Sequence, residues 1–155
     1  MVTVYSTLFV IFKVSLFLLD PFMPQNVCGG SIYSETVVVT AAHCCKIFED
    51  TIYDETWFEV IAGDLILYQN SGLEQRSKIK NYLIHPDYCT SPATNDICLL
   101  YLEDRFDLSG DNVKSISLAT VDPEPATDCL ISGWGLLEVR AQKLLCTFLK
   151  FLKSL

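Results

Sequence analysis

The chain has 155 residues, half of them hydrophobic and 19% charged, which is enough for one domain with a real core and too short for two full ones. That balance excludes the disordered class. A net charge of -8 argues against nucleic acid as a partner, because phosphate contacts need clustered Lys and Arg. Seven cysteines fit an oxidising, extracellular compartment better than a cytosolic one, and an odd number leaves at least one thiol without an intrachain partner.

Residues 1–11 form an apolar segment; Leu8 to Phe12 is uninterrupted, Lys13 breaks the run, and Val14 to Leu19 is nearly apolar again. A signal peptide needs a basic start and a small-residue cleavage site, and neither is evident. A membrane helix needs about 20 apolar residues without a charge. A buried strand and a targeting role both stay open, so secretion rests on the cysteines more than on this segment.

Short apolar or alternating runs then recur between turn signals, the pattern of an all-β chain. Candidate strands are Phe12 to Phe17, the valine-rich Thr36 to Thr40, and Trp57 to Ala62. Ser77 to Ile84 is the next, with Lys78, Lys80 and Tyr82 alternating against Ile79, Asn81 and Leu83. Ile97 to Leu102 is continuously apolar and suits a strand buried on both faces. Asn70-Ser71-Gly72, His85-Pro86-Asp87, Ser91-Pro92 and Ser109-Gly110-Asp111 carry turn chemistry. Asp122 to Pro125 reads as a connector, since Pro123 and Pro125 prevent regular pairing. Toward the end, Ala141, Leu144, Leu145, Phe148, Leu149, Leu152 and Leu155 recur at helical spacing, with Lys143, Thr147, Lys150 and Lys153 mostly opposite. That predicts a basic amphipathic helix. Its plainest use is to cover an apolar surface of its own domain, ahead of a membrane or a partner.

The most informative stretch is Cys28-Gly29-Gly30-Ser31-Ile32 followed by Val39-Thr40-Ala41-Ala42-His43-Cys44. It resembles the first barrel of the chymotrypsin/trypsin family of serine endopeptidases. Val14-Ser15-Leu16 resembles the family's preceding strand. Asn95-Asp96-Ile97 with its apolar run resembles the segment holding the triad aspartate. Cys129 and Gly133-Trp134-Gly135 resemble the start of the second barrel. The resemblance runs in consistent order from about residue 12 to 136. It implies an all-β fold: a Greek-key barrel of about six short strands over 12–120, then a connector and the beginning of a second barrel over 121–155.

The resemblance implies catalytic roles for His43 and Asp96. A serine hydroxyl is a poor nucleophile until a base removes its proton, and histidine titrates near neutrality. A buried carboxylate fixes the imidazole tautomer and stabilises the imidazolium; the family is itself the type case of this arrangement. Read alone, His43 is an ordinary half-buried histidine and Asp96 a turn residue; the flanking motifs decide for the catalytic reading. His85, in His85-Pro86-Asp87-Tyr88, receives no catalytic role.

Cys28 and Cys44 resemble the family's disulfide around the histidine loop, worth about 3 kcal/mol in the loop-entropy picture. A zinc site from Cys28, His43, Cys44 and Cys45 is the competing reading. It is set aside because adjacent side chains diverge and no standard ligand spacing appears. The pairing of Cys45, Cys89, Cys98, Cys129 and Cys146 stays open; in the family Cys129 would bridge to a cysteine later in the chain. Asp64 and Glu74 flank a loop resembling the calcium loop of trypsins. Two acids fall short of the six to eight oxygens calcium takes, so a solvated surface loop, no metal and no cofactor are expected.

The family's nucleophile sits in a Gly-Asp-Ser-Gly-Gly context. Ser71, Ser109 and Ser132 precede a glycine, but none follows Gly-Asp. An activating Ile-Val-Gly-Gly-like start is not seen before Val14 either. The expectation is a trypsin-like endopeptidase domain present as an incomplete chain, inactive by itself, whose full-length family acts on proteins or peptides. The alternative is a non-catalytic module that binds protease inhibitors or partners. A membrane-associated carrier is the weakest reading.

Overall fold

The computed structural model describes residues 11–50, 53–122 and 132–134. Its strands are β1 (Lys13–Leu18), β2 (Gln25–Ser34), β3 (Val37–Thr40), β4 (Phe58–Ala62), β5 (Gln75–Ile84), β6 (Cys89–Thr90), β7 (Ala93–Thr94) and β8 (Cys98–Leu102). One helix, α1 (Ala42–Asp50), follows β3. The apolar segment 1–10, the helix expected over 141–155, Cys129 and Cys146 all lie outside the described residues.

Side chains that alternate along each strand face one interior. Val14, Leu16 and Leu18 from β1 meet Ile32, Val38, Phe58, Val60, Ala62, Ile79, Cys98, Leu100 and Leu102, and Phe106 and Val113 join them. A sheet with such a face closes on itself to bury it. The order is β1-β2-β3-β8-β5-β4, with β4 returning to β1, and every neighbouring pair is antiparallel. The jump from β3 to β8 makes this a Greek key, the all-β barrel expected above.

β2 enters this wall at Gly30. A Cβ there would meet Val38 Cγ1 at 2.8 Å, Val39 O at 3.0 Å and Val14 Cγ2 at 3.1 Å, so a side chain has no room. The second glycine of the motif, Gly30, is therefore a packing requirement of the barrel, whereas a Cβ at Gly29 would meet only Val14 O, at 3.7 Å.

The structure departs from the sequence reading in several places. β5 carries an irregularity between Ile79 and Asn81 opposite β8. It reverses the parity: Ile79 is buried, but Tyr82 and Ile84 then turn inward while Leu83 faces solvent. β8 buries Cys98, Leu100 and Leu102 and leaves Leu99 and Tyr101 half-buried, so it is not covered equally on both faces. Helix α1 was not anticipated at all.

Candidate active site

Two barrel segments converge on one histidine. β3 ends at the buried Thr40, whose hydroxyl donates to Gly29 O at 2.8 Å, and the chain turns directly into α1. Cys44, Cys45 and Phe48 lie on the helix face that packs into the core. His43, on the opposite side of the first turn, is left outside. The Cys28–Cys44 disulfide, with Cα atoms 6.2 Å apart, ties this turn back to β2 as the resemblance implied.

Asp96 arrives from the segment before β8. Asn95 is left-handed at φ 53°, a conformation asparagine tolerates, and its side-chain amide donates to Asp87 O at 2.9 Å. His85 N donates to Ile97 O at 3.0 Å, and Ile97 N to Asn95 O at 2.8 Å. This kink turns the Asp96 carboxylate toward α1. His85 itself accepts a hydrogen bond from Asp87 N at Nδ1, 3.1 Å, and so shapes the loop that holds Asn95.

The two carboxylate oxygens of Asp96 serve one residue. Oδ1 accepts from the His43 backbone N–H and Oδ2 pairs with His43 Nδ1, each at 2.8 Å. The first bond satisfies an orphan amide at the start of α1, where a helix also favours negative charge. Burial pushes the Asp96 carboxyl up, but the hydrogen bonds and charge of His43, with help from the Ala42 amide, outweigh it and hold the group below its ordinary value. Asp96 is thus ionised at neutral pH and can only accept. The proton between the pair therefore sits on Nδ1, which leaves the lone pair of a neutral ring on Nε2. The His43 side chain is 60% exposed against 34% for Asp96, so Nε2 is reachable from outside, with Cys44 Sγ 3.5 Å away. Chemically, this is an oriented proton acceptor.

A pH dependence follows. A carboxylate depressed in the fold adds stability that is fully present above its ordinary value, near 3.8, and is lost as pH falls through the lower folded value. Melting temperature should therefore drop on acidification below about pH 4. In Asp96→Asn the neutral plateau should be lower and the acid decline shallower, measured by circular dichroism against pH. Parallel acid limbs in the two proteins would contradict this assignment.

A second disulfide, Cys45–Cys98, joins α1 to β8. Cys45 stands two residues after His43 and Cys98 two after Asp96, so the bond staples both carriers of the pair. The sequence left this pairing open, because proximity across the barrel is a property of topology. Within these bonds the sulfurs of Cys28, Cys44 and Cys45 are not thiolates, so the cluster of Cys28, His43 and Cys44 offers a metal one imidazole and no thiolate. Cys89 is an exposed thiol on the β6–β7 ribbon. Asp64 departs from expectation: it is buried, whereas the acids of a solvated surface loop would be exposed.

A closed antiparallel barrel carrying an exposed histidine oriented by a carboxylate defines a class of β-barrel with acid–base potential. The profile of the family described as Trypsin matches residues 11–153. The chain is 33% identical over 114 residues to trypsin V-A of Rattus norvegicus, covering 74% of this chain and 42% of that protein. It is 38% identical over 111 residues to trypsin-3 of Homo sapiens, with 72% and 33% covered. With trypsin alpha of Drosophila melanogaster it shares 35% over 108 residues, covering 70% and 39%. The chain belongs to the trypsin family of serine proteases, and it spans well under half the length of these relatives.

Proposed function

We propose that this chain supplies the general base, His43, and its orienting carboxylate, Asp96, of a trypsin-family serine endopeptidase, and that the 155-residue polypeptide does not cut peptide bonds by itself. The double 2.8 Å engagement of His43 by one carboxylate carries the first half. In the family's chemistry Nε2 takes the serine proton during attack on the carbonyl, then returns it to the leaving amine. Asp96 stays ionised throughout and stabilises the imidazolium. The second half rests on the sequence: these 155 residues contain no Gly-Asp-Ser-Gly-Gly context, so they supply no serine in the family's nucleophile setting for His43 to activate. The proposed setting is extracellular, in keeping with the two disulfides, and the substrates of the whole enzyme are proteins or peptides.

The purified chain is expected to release no fluorophore from peptide-amide substrates and to take no label from a serine-directed fluorophosphonate. Turnover that disappears in His43→Ala would overturn the inactive reading. The base reading has its own check in nitrogen NMR, where His43 should carry its proton on Nδ1 and lose that preference in Asp96→Ala. An Nε2–H tautomer would sink it.

A second reading, a non-catalytic module engaging inhibitors or protease partners, draws on the exposed Phe22, Met23, Leu65, Ile66, Tyr68 and Leu73. Retention of the chain on an immobilised protein protease inhibitor would favour it.

A further inference from the structure

The sulfurs of the Cys28–Cys44 bond lie beside the ring that the bond braces. Cys28 Sγ, Cys44 Sγ and a ring nitrogen of His43 fall within 4.8 Å of one another. Adjacent side chains diverge at Cβ, which argues against zinc from sequence alone, yet Cys44 Sγ comes 3.5 Å from His43 Nε2. Around a tetrahedral zinc, with Zn–N about 2.0 Å and Zn–S about 2.3 Å, a nitrogen and a sulfur ligand stand about 3.5 Å apart and two sulfurs about 3.8 Å apart. The nitrogen–sulfur spacing is therefore already in place. With the disulfide opened, each sulfur swings on its own Cα–Cβ bond, and Cα atoms 6.2 Å apart leave room for the two to part.

The ring is also held as a zinc ligand needs to be. Asp96 Oδ2 pairs with Nδ1 and Oδ1 accepts from the His43 backbone N–H, each at 2.8 Å, which leaves Nε2 as the free nitrogen. A carboxylate on the far nitrogen is the usual support behind a zinc-bound histidine, fixing both the tautomer and the ring angle. Access separates the two disulfides. Cys28 is half-buried, whereas Cys45 is 0% and Cys98 1% exposed. A reductant therefore meets Cys28–Cys44 first, and Cys45–Cys98 keeps α1 on β8 while the outer bond opens.

We propose that the Cys28–Cys44 bond conceals a redox-gated zinc site: once it is reduced, the two thiolates and His43 Nε2 bind one zinc ion, with water in the fourth position. A dithiol supplies two electrons and two protons to the disulfide, leaves as a cyclic disulfide, and yields two thiols. Zinc then binds both sulfurs as thiolates, and the two thiol protons pass to solvent. Metal on Nε2 occupies the lone pair that a base would use, so the loaded chain accepts no proton there. The site depends on the geometry of His43 and not on a catalytic role, so it stands or falls separately from the proposed function.

The test uses the full chain carrying Cys89→Ser, Cys129→Ser and Cys146→Ser, which keeps only the cysteines of the two bonds. After brief treatment with a dithiol and its removal under argon, the chain is titrated with cobalt(II) and then with zinc. The reduced chain should bind one cobalt with a thiolate-to-metal charge-transfer band that zinc abolishes, and zinc should raise its melting temperature. The oxidised chain should do neither. His43→Ala removes an exposed ring and should weaken zinc by about a hundredfold, and Asp96→Asn by about tenfold. Binding by the oxidised chain, a reduced chain without the band, or one with no cooperative unfolding even in zinc overturns the proposal. So does an affinity unchanged in either variant, the mark of thiols acting without the oriented histidine.

Discussion

Replacing Cys45 and Cys98 together by alanine should lower unfolding stability by about 4 kcal/mol, the larger of the two disulfide effects. The sequence separation is 53 against 16 for Cys28–Cys44. Since the entropy removed from the unfolded chain grows with the logarithm of the loop, the shorter bond is worth about 3 kcal/mol and the longer about 4. Against the usual reserve of about 5–15 kcal/mol, either loss is large. The longer bond should matter for the site as well, since it locks α1 to β8 next to both members of the pair. Guanidinium unfolding under non-oxidising and oxidising conditions gives the energy. A slowly exchanging Nδ1 proton of His43, read by NMR, gives the geometry. Unchanged unfolding in the double variant would show that barrel packing alone holds α1.

Phe58→Ala should cost a similar amount, about 3–5 kcal/mol, the range for emptying a buried phenylalanine site. Phe58 is 0% exposed at the start of β4. Its ring centre lies 4.8 Å from that of Phe48, which in turn is 5.0 Å from that of Tyr82. This aromatic row seats α1 on β4 and β5, so the cavity would open beneath the helix that carries His43. Phe22→Ala is the matched control: a ring almost fully in water should move stability by about 0.5 kcal/mol or less. Equal losses at the two positions would mean that the row does not carry the helix.

Strand positions were legible wherever one face of the chain is apolar. Lys13–Leu18, Val37–Thr40, Phe58–Ala62 and Cys98–Leu102 fall within a residue or so of the runs read from the sequence. β5 was legible as a strand but not in its facing, because a bulge is set by the partner strand and leaves no mark in alternation. α1 was missed although Cys44, Cys45 and Phe48 have helical spacing; so short a series is easily mistaken for motif residues. His43 and Asp96 were legible only through the residues around them. Their meeting depends on Asn95 entering the left-handed region and on the order in which the barrel closes. The burial of Lys13 had no local signal, since the ring that lies over it belongs to Trp134, remote in sequence.

Closing β4 onto β1 also bears on how copies of this chain would meet. A cylinder has no terminal strand, so its main-chain donors and acceptors offer no template on which another molecule could extend the hydrogen-bond ladder. Among the described residues, the separate two-stranded ribbon β6–β7 is the open one, and each of its strands is two residues long. Self-association through the described residues would therefore run through side chains, either the apolar ones around Phe22 and Tyr68 or the thiol of Cys89, rather than through growth of amyloid-like sheets.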